Sequence, residues 1–178
     1  MTILYDERVD GALPSSDREA LLQALQAALP DLHVLHREED LKPYECDGLS
    51  AYCTVPLLVA LPERLEQVQA LLKLCHQRGV PVVARGAGTG LSGGALPLAK
   101  GILLVMARFN RILEVNPQGR FARVQPGVRN LAISQAAAPH GLYYAPDPSS
   151  QIACSIGGNV AENAGGVHCL KYGLTVHN

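Results

Sequence analysis

A chain of 178 residues is long enough to form one domain with a substantial core, because chains of this size bury roughly two thirds of the surface that they expose when unfolded. Its 15 basic and 16 acidic side chains nearly balance, which excludes the strongly basic surface of most proteins that bind nucleic acids or anionic membranes. With no Trp and only two Phe, it also lacks the aromatic side chains that stack on single-stranded bases. Any anion-binding site must therefore be formed by a few residues rather than by a broad basic surface.

The five cysteines argue against a disulfide framework, since their number is odd and none of them forms a CxxC pair. Residues 1–14 carry charges where a secretion signal needs an apolar run, and no stretch of about 18 consecutive apolar residues occurs. We therefore expect a cytoplasmic protein that makes at most a peripheral contact with the inner membrane.

The first predicted element is a surface helix from Ser15 to Leu29. Ser16 and Glu19 have the spacing of a capping box, and apolar residues follow at helical intervals. Residues 33–54 are polar and irregular in pattern, with Pro and Gly as breakers. We therefore expect residues 1–53 to form an N-terminal helical extension, with the main domain beginning after it.

The main domain is predicted to begin with a strand, a helix and a second strand. The apolar run from Leu57 to Leu61 predicts the first strand. The helix should end at Gly79, which suits a left-handed stop. Four residues are predicted to form its buried face: Leu65, Val68, Leu72 and Cys75. Val80 to Ala84 then predicts a buried strand, parallel to the first because the helix supplies the crossover that parallel pairing requires.

Short elements separated by breakers follow. Three strands, which can pair antiparallel, are predicted: Ile102 to Met106, Arg111 to Val115 and Phe121 to Gln125. A helix is expected from Val128 to Ala138. The stretch from Tyr144 to Ser150, YAPDPSS, is too rich in proline for a helix or a strand. A second glycine-rich tract, SIGGNVAENAGG, covers Ser155 to Gly166.

The most informative motif is the glycine-rich stretch PVVARGAGTGLSGGA from Pro81 to Ala95. Gly88 to Gly93 match the GxGxxG pattern of a Rossmann dinucleotide-binding loop. A Rossmann loop must open a helix, however, and Pro97 and Gly101, close behind the loop, leave no room for one. A Walker A motif is excluded too, because no Gly-Lys-Ser or Gly-Lys-Thr occurs. The stretch therefore belongs to neither of these two types of phosphate-binding loop.

Closely spaced glycines after a strand can nevertheless hold a pyrophosphate, because no side chain blocks the approach to their amide N–H groups. Arg85 adds a positive charge, and Thr89 and Ser92 add hydroxyl donors. The alternative is a surface loop whose glycines serve tight turns and whose Arg85 pairs with a carboxylate. The loop alone leaves both interpretations open.

Four blocks of sequence occur in the same order as in a known family: PVVARGAGTG from Pro81, QPGV from Gln125, APDPSS from Ala145 and SIGGNVAENAGG from Ser155. The chain thereby resembles the FAD-binding domain shared by vanillyl-alcohol oxidase, p-cresol methylhydroxylase and flavoenzymes of the D-lactate dehydrogenase type. The run from Ser155 to Gly173, which ends in HCLKYG, is most similar to the FAD-linked subunits of bacterial glycolate oxidases.

The resemblance implies an α+β fold with two subdomains, a small parallel α/β subdomain and an antiparallel one, with FAD between them. Residues 54–178 would form this FAD-binding domain of the p-cresol methylhydroxylase type. Enzymes of the family continue into a long substrate domain. We therefore expect the chain to be an incomplete, N-terminal fragment that lacks the substrate domain.

The resemblance also implies which residues contact FAD. Those expected to hold the pyrophosphate are Arg85, Gly86, Ala87, Gly88, Thr89, Gly90, Gly93 and Gly94. Pro126 and Gly127 would line the adenosine side. Those expected beside the cofactor are Pro146, Asp147, Ser149 and Ser150. Those expected in a second wall, reaching toward the flavin ring, are Ser155, Gly157, Gly158, Asn159, Asn163, Gly165 and Gly166. Asp147, between two prolines, can instead initiate a turn.

By the same resemblance, the protein would oxidise a small 2-hydroxy acid, such as glycolate or D-lactate, to the 2-oxo acid by hydride transfer to FAD. Relatives that tether FAD through this loop carry a histidine in it, whereas this chain has Ala87, Gly88 and Thr89, so non-covalent FAD is expected. The catalytic base and the substrate-binding arginines would lie in the substrate domain, so no catalytic residue is assigned and the fragment alone should be inactive. The implied partners are further oxidase subunits, including an iron–sulfur protein.

Two other functions stay open: a nucleotide- or flavin-binding module without catalysis of its own, and a UDP-sugar reductase of the same fold. No metal site is assigned, because His33 and His36 have no cluster of further ligands near them in the sequence. Cys154 is interpreted as a small buried residue. His168 and Cys169 lie just after the second glycine tract, where they can either approach the flavin or serve packing.

Overall fold

The computed structural model describes residues 15–178, with side chains from residue 18 onward. This part of the chain forms two compact units. The first contains the described residues up to Ala84 together with Leu91–Val105, and the second contains Arg85–Gly90 and Met106–Asn178.

The first unit is built around a four-stranded sheet in the order β1, β2, β4, β3. The strands are β1 (His33–Leu35), β2 (Leu58–Leu61), β3 (Val82–Arg85) and β4 (Ile102–Val105). The helices are α1 (Ser15–Ala28), α2 (Glu38–Leu41) and α3 (Leu65–Arg78). Strand β1 runs antiparallel to β2, whereas β2 and β4 are parallel. The predicted N-terminal helix is thus confirmed, but the side chain of Ser16 lies outside the described residues and its capping box stays a prediction.

The core of this unit lies on its two central strands. Every residue of β2 and β4 is buried, as is usual for continuous apolar runs in a sheet that is covered on both faces. Val59 of β2 packs with Leu103 and Val105 of β4, and Leu41 at the end of α2 joins the same cluster. The segment that precedes residue 54 therefore contributes to the core.

Three expectations for the sheet are wrong. Strand β4 does not pair antiparallel with the strands that follow it, because it lies between β2 and β3 and pairs parallel with β2. The strands on either side of α3 are consequently not neighbours. Strand β3 is half-buried rather than buried, as suits its place at the end of the strand order.

Residues 33–54 were expected to be irregular, but they contain β1 and α2. The polar pattern is misleading because β1 is short and is held by its backbone pairing with β2 rather than by buried side chains. The predicted domain boundary near residue 54 stays a prediction, although the sheet takes strands from both sides of it.

Helix α3 ends at Gly79, as predicted, with φ at 65°. Its buried face differs from the prediction, because Leu65 and Leu72 are 53% and 44% exposed. The buried residues are Gln67, Leu71 and Cys75. Gln67 lies inward because its Oε1 atom accepts two backbone N–H groups at the start of the helix, at 2.8 and 3.3 Å. Because this polar residue caps the start of the helix and is buried, the buried face is not the one that the hydrophobic pattern predicted.

The second unit contains a two-stranded antiparallel sheet and three helices. The strands are β5 (Ile112–Asn116) and β6 (Phe121–Val124), and the helices are α4 (Asn130–Ala137), α5 (Ile156–Glu162) and α6 (Cys169–Tyr172). The pairing of β5 with β6, helix α4 and the irregular stretch from Tyr144 to Ser150 are confirmed. Helix α5, inside the second glycine tract, was not predicted. Within the described residues, no helix is both long enough and apolar enough to span a membrane.

Candidate cofactor-binding site

The loop that follows β3 contains no helix between residues 86 and 101, as predicted. The Rossmann interpretation is therefore excluded by the backbone itself, since a Rossmann loop opens directly into a helix. Gly88 has φ at 71° and Gly93 has φ at 77°, a conformation that side chains rarely adopt. These two positions need glycine for the path of the backbone alone.

The first half of this loop packs on the second glycine tract, within the second unit. A Cβ atom on Gly86 would overlap the Oγ of Ser155 and would lie 3.8 Å from the Cα of Gly158. Ser155 is itself held in place, since it is buried and its Oγ accepts the N–H of Gly158 at 3.3 Å as the N-cap of α5. The structure therefore brings the two predicted walls together at Gly86 and Ser155.

The tip of the loop is open. The guanidinium group of Arg85 lies over Gly88, in the space that a side chain at Gly88 would occupy. Thr89 and Gly90 are exposed, and nothing lies within 4 Å of the position that a Cβ on Gly90 would take. The backbone at Gly90 is accordingly accessible to a ligand, with the Arg85 guanidinium a few residues away along the chain.

Pro126, Gly127 and Gly157 form a tightly packed junction. A Cβ on Gly127 would overlap the carbonyl oxygen of Met106 and would lie 2.7 Å from that of Phe109. The N–H of Gly157 donates to the carbonyl of Pro126 at 2.8 Å, and a Cβ on Gly157 would lie 2.8 Å from the Cβ of Pro126. Packing of the protein on itself accounts for both glycines, so neither requires a ligand to explain it.

Helix α4 connects this junction to the proline-rich stretch. The N–H of Asn130 donates to the carbonyl of Cys154 at 3.0 Å, and its Nδ2 donates to the carbonyl of Pro146 at 3.0 Å. Asn130 is fully buried, and Cys154 is buried as predicted. The sequence analysis missed Asn130, and the available signal was an amide at the start of a largely apolar predicted helix, in VRNLAIS.

Two buried amides retain unused hydrogen-bonding capacity. Among the described residues, Asn130 Oδ1 and Asn159 Nδ2 are buried side-chain atoms without a hydrogen-bond partner. Such atoms are rare in folded proteins and call for a physical explanation. Asn159 lies in the first turns of α5, the helix that packs on Gly86 through Ser155 and Gly158. An acceptor from a ligand would satisfy the Asn159 donor.

Asp147 and His168 form a close pair. The Nδ1 atom of His168 lies 2.6 Å from Asp147 Oδ2, and the backbone N–H of His168 donates to Asp147 Oδ1 at 3.2 Å. These hydrogen bonds, the side-chain one first, hold the pKa of the Asp147 carboxyl below its ordinary value. A Cβ on Gly166 would overlap Asp147, so a glycine is required where the chain passes this carboxylate. Of the two roles left open for His168, the structure places it in a hydrogen bond within the protein.

Three other predicted residues make contacts elsewhere in the second unit, and a fourth, Ser149, is exposed. The carbonyl of Ser150 accepts two backbone N–H groups of the following turn, both at 2.8 Å. Asn163 ends α5 with φ at 50°, and its Oδ1 accepts the backbone N–H of residue 176 at 3.1 Å. A Cβ on Gly165 would lie 2.7 Å from the side chain of Leu174. Intrachain contacts therefore explain Asn163 and Gly165.

The second half of the loop, Gly93 and Gly94, belongs to the first unit. There it is supported by Asp47, a buried residue that the sequence analysis did not select. One Asp47 oxygen accepts the N–H of Leu49 at 2.9 Å, and the other accepts the N–H of Ala95 at 3.4 Å. The Leu49 side chain is the nearest group to the side-chain position of Gly93, at 3.8 Å.

These residues fit a cofactor that carries a pyrophosphate. An open backbone at Gly90, a guanidinium over Gly88 and an unpaired buried donor on Asn159 are what a ligand with several acceptor oxygens requires. No group of three or more His, Cys, Asp and Glu side chains that could hold a metal ion occurs in residues 18–178. The fold and these residues define an α+β domain with a helix-free glycine loop that fits a phosphate-containing cofactor.

Comparison with known proteins identifies the cofactor. A family model described as "FAD binding domain" matches residues 56–178, and the chain belongs to this family of FAD-binding domains. FAD is the cofactor that the family binds. Among solved structures, p-cresol methylhydroxylase matches 86% of this chain and 31% of its own with a TM-score of 0.72 at 20% identity. Alkyldihydroxyacetonephosphate synthase matches 93% of this chain and 32% of its own with a TM-score of 0.77 at 23% identity. The predicted fold class is confirmed.

Sequence relatives narrow the comparison. The chain is 75% identical over all its 178 residues to the glycolate oxidase subunit GlcD of Escherichia coli K12, and it spans 36% of that protein. It is 41% identical over 132 residues to the GlcD subunit of Bacillus subtilis, covering 74% of this chain and 28% of that protein. It is also 41% identical over 110 residues to a D-lactate dehydrogenase of Anaerostipes hadrus, covering 62% of this chain and 23% of that protein. The chain thus spans about a third or less of these curated relatives.

Proposed function

We propose that this chain is the FAD-holding part of a flavoenzyme that oxidises a small 2-hydroxy acid, glycolate or D-lactate, to the 2-oxo acid. The observation that carries the proposal is the 75% identity, over the whole chain, to a glycolate oxidase subunit. The match to the FAD-binding family supports the redox chemistry, because FAD supplies a hydride acceptor when it is bound.

The first half of the glycine loop is proposed to hold the pyrophosphate. The amides around Thr89 and Gly90 are exposed and have no side chain in front of them at Gly90. The guanidinium of Arg85, which lies over Gly88, adds a positive charge on the same loop. Packing of Gly86 on Ser155 keeps this part of the loop against α5, so the donors are ordered before the cofactor arrives.

The residues of the second tract are proposed to form the neighbouring wall. Asn159 contributes its buried Nδ2 donor. Because they lack a side chain, Gly157 lets the backbone pack directly against Pro126, and Gly166 lets it pack directly against Asp147. The Asp147 carboxylate, held by two hydrogen bonds from His168, keeps the proline-rich stretch beside this wall. These contacts are proposed to position the wall.

Non-covalent binding of FAD is part of the proposal. The loop has Ala87, Gly88 and Thr89 where relatives with tethered FAD carry a histidine, so no imidazole is available there to form the bond. No residue of this chain is proposed as the catalytic base. We propose that the base and the substrate-binding groups lie in the part of the longer protein that this chain does not span.

The proposed partners are further oxidase subunits, including an iron–sulfur protein. Their support is the printed name of the relatives, in which GlcD is one subunit of a glycolate oxidase. A flavoprotein that accepts a hydride needs an acceptor for the two electrons afterwards, and an iron–sulfur subunit would supply one.

The cofactor part of the proposal is tested with Gly90→Ala. A methyl group at this open position leaves folding unchanged but stands in front of the backbone amides, so FAD affinity should fall at least about tenfold, the loss of one charge-assisted hydrogen bond. FAD fluorescence quenching measures the Kd, and Gln135→Ala at an exposed position of α4 is the control. An unchanged Kd in Gly90→Ala would remove the loop from the FAD site.

The substrate part is tested in the longer protein by dye reduction with glycolate and D-lactate, with L-lactate as the enantiomer control and with acetate and propionate, which lack the 2-hydroxyl group, as negative controls. Turnover of a 2-hydroxy acid supports the proposal. If the protein binds FAD but reduces no dye with either acid, the proposed activity is wrong and the protein is a flavin-binding module without it.

A further inference from the structure

Two cysteines in the first unit lie side by side. The N–H of Thr54 donates to the carbonyl of Glu45 at 2.7 Å, which closes a loop and places Cys46 and Cys53 just inside its two ends. One position further into the loop from this hydrogen-bonded pair of residues, Cys46 and Cys53 lie opposite one another, although seven positions separate them in the sequence.

The two cysteines differ in exposure. Cys53 is exposed and its Sγ donates to the carbonyl of Ser50 at 3.6 Å, while Cys46 is half-buried. Loss of solvation raises the pKa of the Cys53 thiol above its ordinary value, and the neighbouring Cys46 and Glu45 raise it further. Lys42, paired with Glu45 at 2.7 Å, opposes this effect. The Cys53 thiol is therefore mostly protonated near neutral pH, and its thiolate is the minor, reactive form.

The other three cysteines differ from this pair. Cys75 and Cys154 are buried, and Cys169 is half-buried in the second unit. All five cysteines lie among the described residues, and none forms a disulfide. Cys46 and Cys53 are therefore the two thiols placed to react with one another.

We propose that Cys46 and Cys53 form a reversible disulfide when the protein meets a hydroperoxide. One thiolate attacks a peroxide oxygen, the O–O bond breaks, and a sulfenic acid and one water form. The sulfur of the second cysteine then attacks the sulfenic sulfur, the S–O bond breaks, and a second water leaves with the thiol proton. In balance, two thiols and one hydrogen peroxide give one disulfide and two waters. A dithiol reductant reverses the change.

The loop between these cysteines supports the second half of the glycine loop. It carries Asp47, which accepts the N–H of Ala95, and Leu49, whose side chain lies nearest to Gly93. A disulfide between Cys46 and Cys53 would restrain this supporting loop. The site is thereby a modification site adjacent to residues selected for cofactor binding, and it stands whether or not the proposed function does.

The test treats the full chain with a slight excess of hydrogen peroxide, alkylates the remaining thiols and digests with trypsin. Residues 38–64 form one tryptic peptide, because Lys42 precedes a proline, and this peptide contains Cys46 and Cys53 and no other cysteine. We expect it to escape alkylation and to become lighter by two hydrogens, with loss of two titratable thiols per chain. Dithiothreitol should restore both thiols and the original mass.

Single variants separate this proposal from general oxidation. Cys46→Ser and Cys53→Ser should each abolish the change in the 38–64 peptide, whereas Cys169→Ser should leave it intact. The proposal is overturned if peroxide only adds oxygen to the peptide without loss of two hydrogens. It is also overturned if the wild-type chain loses its thiols no faster than the two serine variants do.

Discussion

Gly86 and Ser155 make the contact that joins the two glycine tracts within the second unit. The space for a Cβ on Gly86 is already taken by the Ser155 hydroxyl, while the Ser155 Cβ is 3.4 Å away and would be tolerated. The loss of stability caused by a side chain at position 86 should therefore come from its clash with the Ser155 Oγ.

We expect Gly86→Ala to lower the free energy of unfolding by about 1–3 kcal/mol, the usual cost of forcing a methyl group into a packed site. Ser155→Ala alone should cost about 1 kcal/mol, because it removes the N-cap of α5. In the double variant, the added cost of alanine at position 86 should largely disappear. Urea unfolding of the four proteins measures this coupling, and strict additivity would mean that the two residues do not meet.

The Asp147–His168 pair makes stability depend on pH. The folded pKa of Asp147 is lowered, so this carboxylate stabilises the fold above the ordinary Asp pKa, and the contribution is lost as the pH falls through the folded value. Asp147→Asn should therefore be less stable than wild type at pH 7. The difference should shrink as the pH drops below about 4, where the unfolded carboxyl also takes up its proton.

Urea midpoints of wild type and Asp147→Asn, measured in steps from pH 7 to pH 3, test this expectation. Gln135→Ala, at an exposed position of α4, serves as the control and should differ from wild type by the same amount at every pH, because it changes no titratable group. A gap between Asp147→Asn and wild type that stays constant with pH would exclude the carboxylate charge as its origin.

Helix α3 shows how one polar contact sets the orientation of a whole element. Gln67 turns inward to accept two N–H groups at the start of the helix, and Leu71 and Cys75 follow it into the core on the same face. Leu72, one position further along, is left 44% exposed. The hydrophobic pattern alone indicated a face that includes Leu72, because it carries no information on side-chain capping.

We expect Leu71→Ala to cost about 2–5 kcal/mol, because Leu71 is fully buried and alanine would leave a cavity. Leu72→Ala should cost less than about 0.5 kcal/mol, as is usual for surface positions. Both variants carry the same chemical change one residue apart, so the comparison isolates the orientation of the helix. Thermal or urea unfolding measures it, and similar costs at the two positions would contradict the described face.

Strand β4 illustrates a limit at the level of elements. Its apolar run predicted a strand correctly, but pairing with β2 depends on which strands meet in space. Residues 33–35 show the converse, since β1 has no strong pattern and exists because its backbone bonds the edge of β2. The local pattern predicted that β4 exists but not which strands it pairs with, and it predicted neither for β1.

For the molecule as a whole, binding of FAD should stabilise the fold by mass action. At a free FAD concentration of about one hundred times its Kd, the gain should be about 2.7 kcal/mol, because FAD would bind the folded chain and not the unfolded one. Differential scanning fluorimetry over an FAD titration measures it. Adenosine diphosphate at the same concentration is the control for the pyrophosphate alone.

Acid precipitation of the loaded protein checks the mode of attachment. Non-covalent FAD should appear entirely in the supernatant, and the intact mass of the precipitated chain should equal that of the apoprotein. A mass increase equal to one flavin would show a covalent bond and would overturn the expectation drawn from Ala87, Gly88 and Thr89.

Much of the candidate site followed from the sequence. The helix-free course of the loop after β3 was set by Pro97 and Gly101, and the order of the four motifs carried the family. Asp47, Asn130 and the contact between Asp147 and His168 could not be found in this way, because each depends on a partner 16 to 48 positions away. Cys46 and Cys53 are only seven positions apart, but their pairing was also missed, because it depends on the backbone hydrogen bond between Thr54 and Glu45 that closes the loop.

Local composition is enough to exclude a Rossmann loop and to place most helices and strands, since proline, glycine and apolar spacing act on the chain nearby. The association of the glycine tracts with FAD came from their resemblance to a known family. Only the tertiary structure shows why particular glycines are needed. Gly127 and Gly157 are required where distant backbones touch, and Gly90 is open to a ligand. All three are glycine in the sequence. Only the atoms around each one show whether the glycine is needed for packing or leaves room for a ligand.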